Sequence, residues 1–439
     1  MKKRLIITIF ILCSFLLANQ PIQTLAYAFS NYTSGFQVQN LSSSTANIVI
    51  SYYDQAGNVV STASDTLNAS GSKTYFPIHP ASGFNGSVVI SSDQEIASVV
   101  NVLGSGSHNA GASYVGSKSG GTNVSIPLLM KGNSGYNTWF NVQNTGSSNA
   151  TVNVSYSDGA SVGPITILPG ASHTFDQSIE THSSNVFSAI VTSDQPVVVA
   201  VIEENSATMF AYGGVSSGTT NPVMPLINAN NSGYITGIQI QNTGGSSTDV
   251  TVSYTPSTAG TACTETQTIP AGQSKTFALY AFANGTNSDC IAGAKFIGSA
   301  QVTANSTNQN LVAIVNQLKA GVNGEAYGAF DPATASNTVV LPLIMDRNSG
   351  WFTGFNVMNV GSAATSITCT FSGSSYTINT GSLNPGAAYN AIQQNQIANG
   401  YVGSATCTAA NAGDKIVAVV NELNPATGDN LLVYEGISK

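Results

Sequence analysis

The sequence predicts an all-β chain made of four tandem antiparallel β-sandwich units, and three observations carry that prediction. A nine-residue motif returns four times at the spacing of a small domain. Inside each copy, apolar and polar residues alternate with period two. Of 439 residues only 7% are charged while 42% are hydrophobic, and Ser, Thr, Asn and Gly fill the gap.

The motif reads Tyr32-Thr-Ser-Gly-Phe-Gln-Val-Gln-Asn40, Tyr136-Asn-Thr-Trp-Phe-Asn-Val-Gln-Asn144, Tyr234-Ile-Thr-Gly-Ile-Gln-Ile-Gln-Asn242 and Trp351-Phe-Thr-Gly-Phe-Asn-Val-Met-Asn359. Its last Asn recurs after 104, 98 and 117 residues. These periods are too long for a solenoid repeat of roughly 20–50 residues and fit one domain per copy. The boundaries expected are a leader at 1–28 and units at 29–118, 119–218, 219–333 and 334–439.

Each copy then runs through the same signals. An alternating strand comes first: Ile48, Ile50 and Tyr52; Val152, Val154 and Tyr156; Val250, Val252 and Tyr254; Ile367, Cys369 and Phe371. Period two with one apolar face is the mark of a half-buried strand. A turn such as Leu168-Pro-Gly170 or Leu383-Asn-Pro-Gly386 follows, with Pro presetting φ and Gly supplying positive φ. Further strands end at Phe76, Phe175 or Phe277, run through Gly86–Ile90 and its counterparts, and close on Tyr114, Tyr212, Tyr327 or Tyr434. Six or seven strands in roughly 100 residues, with no sustained helical period, indicate an immunoglobulin-like sandwich. Four in tandem suggest a rod.

Val124-Ser-Ile-Pro-Leu-Leu129, Pro222-Val-Met-Pro-Leu-Ile227 and Val339-Val-Leu-Pro-Leu-Ile344 read as opening strands whose proline marks an edge. The first unit is different. Lys2, Lys3 and Arg4 precede an apolar run from Leu5 to Ala18, and Ala26-Tyr27-Ala28 has the form of an export cleavage site. Cutting there removes Cys13 and also Pro21-Ile-Gln-Thr-Leu25, the segment that could open the first unit. Either an earlier cut near Ala18 keeps that strand, or the first unit starts with an open edge that another chain can fill. No later segment has the length and apolarity of a membrane span, so the mature chain is expected to be secreted or held at a cell surface, in a bacterial setting.

The remaining cysteines fall in pairs within single units. Cys369 and Cys407 replace core-facing Val or Ile of the other copies and are expected to form an inter-sheet disulfide. Cys263 and Cys290 are expected to staple an insertion in the third unit. Each bridge is worth roughly 3–4 kcal/mol on loop-closure entropy. The spacing does not suit zinc, and no metal or cofactor is expected.

A net charge of −8 has the wrong sign for nucleic-acid binding. Gly159-Ala-Ser-Val-Gly163 matches a nucleophile elbow but lies between two strands, where that motif does not work. His79, His108 and His182 read as solvated loop residues. Asn101, Asn316 and Asn421, with Glu203 in the second copy, recur after an apolar strand and are expected to bond the backbone of a neighbouring loop.

The run Phe-x-Val-Gln-Asn-x-Gly-Ser, Val-x-Val-x-Tyr and Leu-x-Pro-Gly-x-Ser-x-x-Phe, as at Asn144-Thr-Gly146, Leu168-Pro-Gly170 and Phe175, resembles tandem immunoglobulin-like repeats of bacterial secreted and cell-surface proteins. It is similar to CARDB-like modules. The resemblance spans 29–439, with the first copy departing most. It implies adhesion, spacing or assembly into a surface layer or filament, and it brings no catalytic residues.

The function expected is therefore non-enzymatic, structural or adhesive, through self-association or contact with another surface protein or glycan. The alternative is carbohydrate binding, with Tyr136, Trp139, Tyr234 and Trp351 as stacking platforms. A secreted hydrolase acting through Ser161 is the remote alternative.

Overall fold

The computed structural model describes residues 28–78, 83–278, 288–306, 309–426 and 428–439. Nearly all of the expected leader (residues 1–27, with Cys13), together with His79 and Asn284, lies outside them. The described residues form strands and contain no helix.

The strands fall into four consecutive groups. The first holds β1 (Asn31–Asn40), β2 (Ala46–Asp54), β3 (Val59–Leu67), β4 (Ser72–Tyr75), β5 (Gly86–Ser92), β6 (Ile96–Ser105) and β7 (Asn109–Val115). The second holds β8 (Gly121–Asn133), β9 (Tyr136–Asn144), β10 (Ala150–Tyr156), β11 (Ser161–Ile167), β12 (Ser172–Asp176), β13 (Val186–Glu204) and β14 (Met209–Gly213). The third holds β15 (Val223–Ala229), β16 (Ile235–Asn242), β17 (Thr248–Ala259), β18 (Cys263–Ile269), β19 (Ser274–Phe277), β20 (Phe296–Ala304), β21 (Leu311–Lys319) and β22 (Asn323–Gly328). The fourth holds β23 (Thr338–Asp346), β24 (Phe352–Asn359), β25 (Thr365–Phe371), β26 (Thr377–Leu383), β27 (Ala388–Ile392), β28 (Tyr401–Ala409), β29 (Ile416–Leu423), β30 (Leu431–Glu435) and β31 (Ile437–Ser438).

Seven antiparallel sheets result, and the third unit gives the pattern most simply. One of its sheets runs β15-β20-β17-β18 and the other β19-β16-β21-β22. The fourth unit repeats this as β26-β25-β28-β23-β31 and β27-β24-β29-β30. In the second unit the long β13 joins both sheets, pairing β8 and β10 with its first half and β9 and β14 with its second. The first unit has β4-β1-β6-β7 and only β3-β2-β5. The alternating strands bury their apolar faces as expected: Val152, Val154 and Tyr156 are core residues, as are Val250, Val252 and Tyr254.

The repeated Asn of the motif ties the two sheets of each unit together. Asn144 is fully buried; its Nδ2 donates to the carbonyls of Ser148 and Ile167, and its Oδ1 accepts from the Gly146 amide. Asn40, Asn242 and Asn359 make the same three kinds of bond. A side chain with two donors and an acceptor pairs three backbone groups of the turn at once, one of them the buried Ile167 carbonyl in the second unit.

Both expected disulfides form, Cys263–Cys290 and Cys369–Cys407. The second is not inter-sheet. Cys369 and Cys407 lie directly opposite one another on β25 and β28, neighbours in one sheet, with their Cα atoms 3.9 Å apart. Period two fixes which face a residue occupies but not which strand lies beside it.

The units close into a ring, which corrects the expected rod. Each junction has its own apolar cluster. Phe29, Ala110 and Ala112 meet Ile202, Met209 and Ala211 between the first and second units. Phe210 and Tyr212 share a cluster with Ile314 and Ala326, joining second to third. Tyr327 and Val315 share one with Val419, Leu431 and Val433, joining third to fourth. Val99 packs with Val420 and Tyr434, and Leu41 and Ala97 with Val340 and Ile437, joining fourth back to first. The strands that carry the closing tyrosines, β7, β14, β22 and β30, pack on one another in that cyclic order and form the hub.

Candidate association site

The hub is held by buried acids. Glu203 on β13 and Glu422 on β29 stand at equivalent register positions, opposite Thr138 and Thr353. Glu203 Oε2 accepts from Asn316 Nδ2 at 2.7 Å, and Glu422 Oε2 accepts from Asn101 Nδ2 at 3.3 Å. The first bond crosses the second–third junction and the other crosses the fourth–first, so the ring repeats by halves. Asn101 and Asn316 therefore bond a neighbouring unit's carboxyl, not a loop's backbone. Glu203 is one residue out of step with them, since Ile202 takes the Asn position in the second unit.

The other acids clamp backbone amides across the centre. Glu325 accepts from the Ser113 and Ala211 amides, each at 3.1 Å. Asp429 accepts from Met209 at 3.0 Å and Gly324 at 3.1 Å. Glu204 accepts from the Tyr32 hydroxyl at 2.8 Å, and Glu435 from the Gly328 amide. None of these acids has a Lys or Arg partner among the described residues. Burial without a counter-charge disfavours the ionised form. It pushes Glu203 and Glu422 up to about 8 and Asp429 up to about 7, and holds Glu325 well above the ordinary range. Glu204 and Glu435 are raised for the same reason.

In three units the closing tyrosine latches the opening strand. Tyr327 donates to the Leu226 carbonyl at 2.6 Å and Tyr434 to the Leu343 carbonyl at 2.5 Å. Tyr212 makes the same bond to Leu128. In each case the residue reached follows the proline of the aliphatic-Pro-Leu-aliphatic strand.

The first unit has no such strand among the described residues. The edge of β5 that β8, β15 and β23 cover elsewhere is unpaired there. Val88 and Ile90 are consequently only half-buried. Their counterparts Ala189, Val191, Ala300, Val302, Ala405 and Cys407 are at most 1% exposed. A cavity of about 1080 Å³ opens at this place; Phe36, Ile78, Val88, Ile90, Val100 and Tyr114 line one side and the second unit the other.

The four aromatics proposed as stacking platforms are half-buried and engaged in the fold. The Tyr136 hydroxyl bonds Thr208 Oγ1 at 2.6 Å, and Trp139 meets Tyr32 edge-on at 6.1 Å. Tyr234 donates to Asn323 at 2.9 Å, and Trp351 packs on the fourth unit's core.

Ser161 is exposed at the start of β11, and no hydrogen bond joins it to a histidine among the described residues. His182 is not a solvated loop residue. Its side chain is enclosed, stacked on Phe187 at 4.0 Å, with Nδ1 3.1 Å from Asp158 Oδ2. Its Nε2 is buried without a hydrogen-bond partner, so the pair presents no basic nitrogen to a substrate. Burial lowers the His182 pKa. Cys263, Cys290 and Asp289 lie close together, but both sulfurs are spent in the disulfide.

No family model matches the chain, and no curated protein matches it. Among solved structures it is similar to one described as the crystal structure of a tetra-tandem repeat in the extending region of a large adhesion protein. The identity is 14% over 94% of this chain and 96% of that one, with a TM-score of 0.10.

Proposed function

We propose that the chain is an extracellular, non-enzymatic structural or adhesive protein of four immunoglobulin-like units, acting through strand edges and uncharged surface. The observation that carries this reading is the outer edge strand of each unit. β3, β11, β18 and β26 end their sheets, and their sequences are Ser-, Thr-, Asn- and Gln-rich. Only Asp65 and the buried Glu265 are charged among them. Proteins usually guard such edges with charge, Pro or bulges. Here β11 carries Pro164 and the pairings of β3, β11 and β26 carry register shifts, so charge is the guard that is scarce, and lateral association meets little charge repulsion. The two disulfides agree with an oxidising compartment. Electron microscopy of the purified secreted protein tests the reading: ordered fibres, sheaths or lattices support it, and a persistently monomeric, non-adherent protein refutes it.

A further inference from the structure

We propose that the first unit is a strand acceptor, and that its open β5 edge takes an extended aliphatic-Pro-Leu-aliphatic segment donated by a partner chain. This goes beyond the assembly reading, because a protein that builds no fibre can still accept a strand.

The three sister units define the occupant. Their slots hold Ile126-Pro-Leu-Leu129, Met224-Pro-Leu-Ile227 and Leu341-Pro-Leu-Ile344. The pairing register shifts at the Pro-Leu step in every case, between Leu129 and Ile126, Ile227 and Met224, and Ile344 and Leu341. Proline is tolerated there because the bulge removes the need for a ladder amide. The flanking aliphatics enter the core, since Ile126, Leu129, Met224, Ile227, Leu341 and Ile344 are all fully buried. The closing tyrosine then reads the carbonyl of the leucine. The first unit keeps every acceptor part of this arrangement. It has an unpaired strand edge, half-buried Val88 and Ile90, and the Tyr114 hydroxyl, for which no hydrogen bond occurs among the described residues.

The local backbone argues that the strand comes from another chain. In the sister units a two-residue Ser-Gly turn reverses the chain between opening strand and motif. Ser134 and Gly135, Ser232 and Gly233, and Ser349 and Gly350 all have positive φ, the geometry of a tight hairpin. Asn231 and Tyr234, and likewise Asn348 and Trp351, exchange both backbone hydrogen bonds across it. The register equates these turn positions with Ser30 and Asn31, and neither has positive φ. β1 instead stays paired to β6 out to Asn31–Ser105, and Phe29 runs on into the hub cluster beside Met209 and Ala211. From Ala28, whose amide donates to Glu204 of the second unit, to Asn31 the described chain runs from the hub into β1 without such a reversal.

The test uses the full secreted chain, its first residue fixed by intact mass. The probe is a synthetic peptide with the sequence of residues 121–131, against a scrambled control. Saturable binding is expected, at least tenfold tighter than the scramble, and the β5 amides should become protected from hydrogen exchange only when peptide is present. Tyr114→Phe, which leaves the β2–β5 pairing intact, should weaken binding about five- to tenfold, the worth of one hydrogen bond. Ile90→Asp should abolish it. If the β5 amides are already protected without peptide in a chain that retains residues before Phe29, the occupant is internal and the proposal falls. Equal binding of peptide and scramble overturns it as well.

Discussion

Raising the pH should loosen the ring, and Glu203 and Glu422 let the size of the effect be worked out. Both are buried at equivalent positions, and each shares one hydrogen bond with an Asn of the next unit. Burial outweighs that bond and moves them from an ordinary 4.5 to about 8. The folded state therefore holds protons that the unfolded state gives up. The stabilisation is complete below about pH 4.5, drains away as pH rises, and is gone above about 8. Between pH 6 and 9 each residue accounts for a loss of about 2–3 kcal/mol, hence about 5 kcal/mol for the pair. The perturbation is Glu203→Gln with Glu422→Gln, which keeps shape and acceptor but cannot ionise. Urea denaturation at pH 6 and pH 9 is the assay. The wild type should lose about 5 kcal/mol more than the double variant over that interval. Glu204, Glu325, Asp429 and Glu435 leave the variant some residual slope, so the difference between the proteins is the signal. Equal losses in both would refute the claim that these two carboxyls are protonated in the ring.

Other outcomes follow from the same structure. Asn144→Ala leaves the buried Ile167 carbonyl without this partner, while the Ser148 carbonyl and Gly146 amide can turn to water, and should cost about 1–3 kcal/mol, read from the denaturation midpoint. Asn144→Asp, which keeps the acceptor and loses both donors, should be little better. Cys369–Cys407 closes a separation of 38 residues, so reduction should cost roughly 4 kcal/mol. Replacing both with Val, the residue at Val154 and Val191 and at Val252 and Val302, should recover part of that loss, as a reducing thermal melt would show.

Much of the fold is legible because each unit's core obeys period two. Val152, Val154 and Tyr156 announce their buried face from spacing alone, and the fourfold Gln-Asn ending announces the repeat. The ring is not legible that way, because two of its four hub strands, β14 and β30, show almost no polar face. Met209-Phe-Ala-Tyr and Leu431-Leu-Val-Tyr are continuous apolar runs, the pattern of a strand covered on both sides. That signal was available, and it separates an element facing solvent from one facing a neighbouring unit. The hub acids were harder to find. A Glu at a strand's end usually meets water, and only the neighbouring unit's packing turns Glu203 into a buried neutral acid. His182 was hidden for a similar reason, since it sits in a loop and the aromatics that enclose it, Tyr156 and Phe187, lie on two strands, β10 and β13.

Closure also bears on how such a chain can change over time. Linear arrays lengthen or shorten freely when recombination adds or drops a copy, because each copy touches only its neighbours. Here every unit contributes one wall to a shared centre, and the Glu–Asn pairs come at alternate junctions. A fifth copy would find no place at the hub, and losing one would expose the acids of two others to water. The number of units is therefore set by geometry, and variation is confined to loops, surfaces and sheet edges.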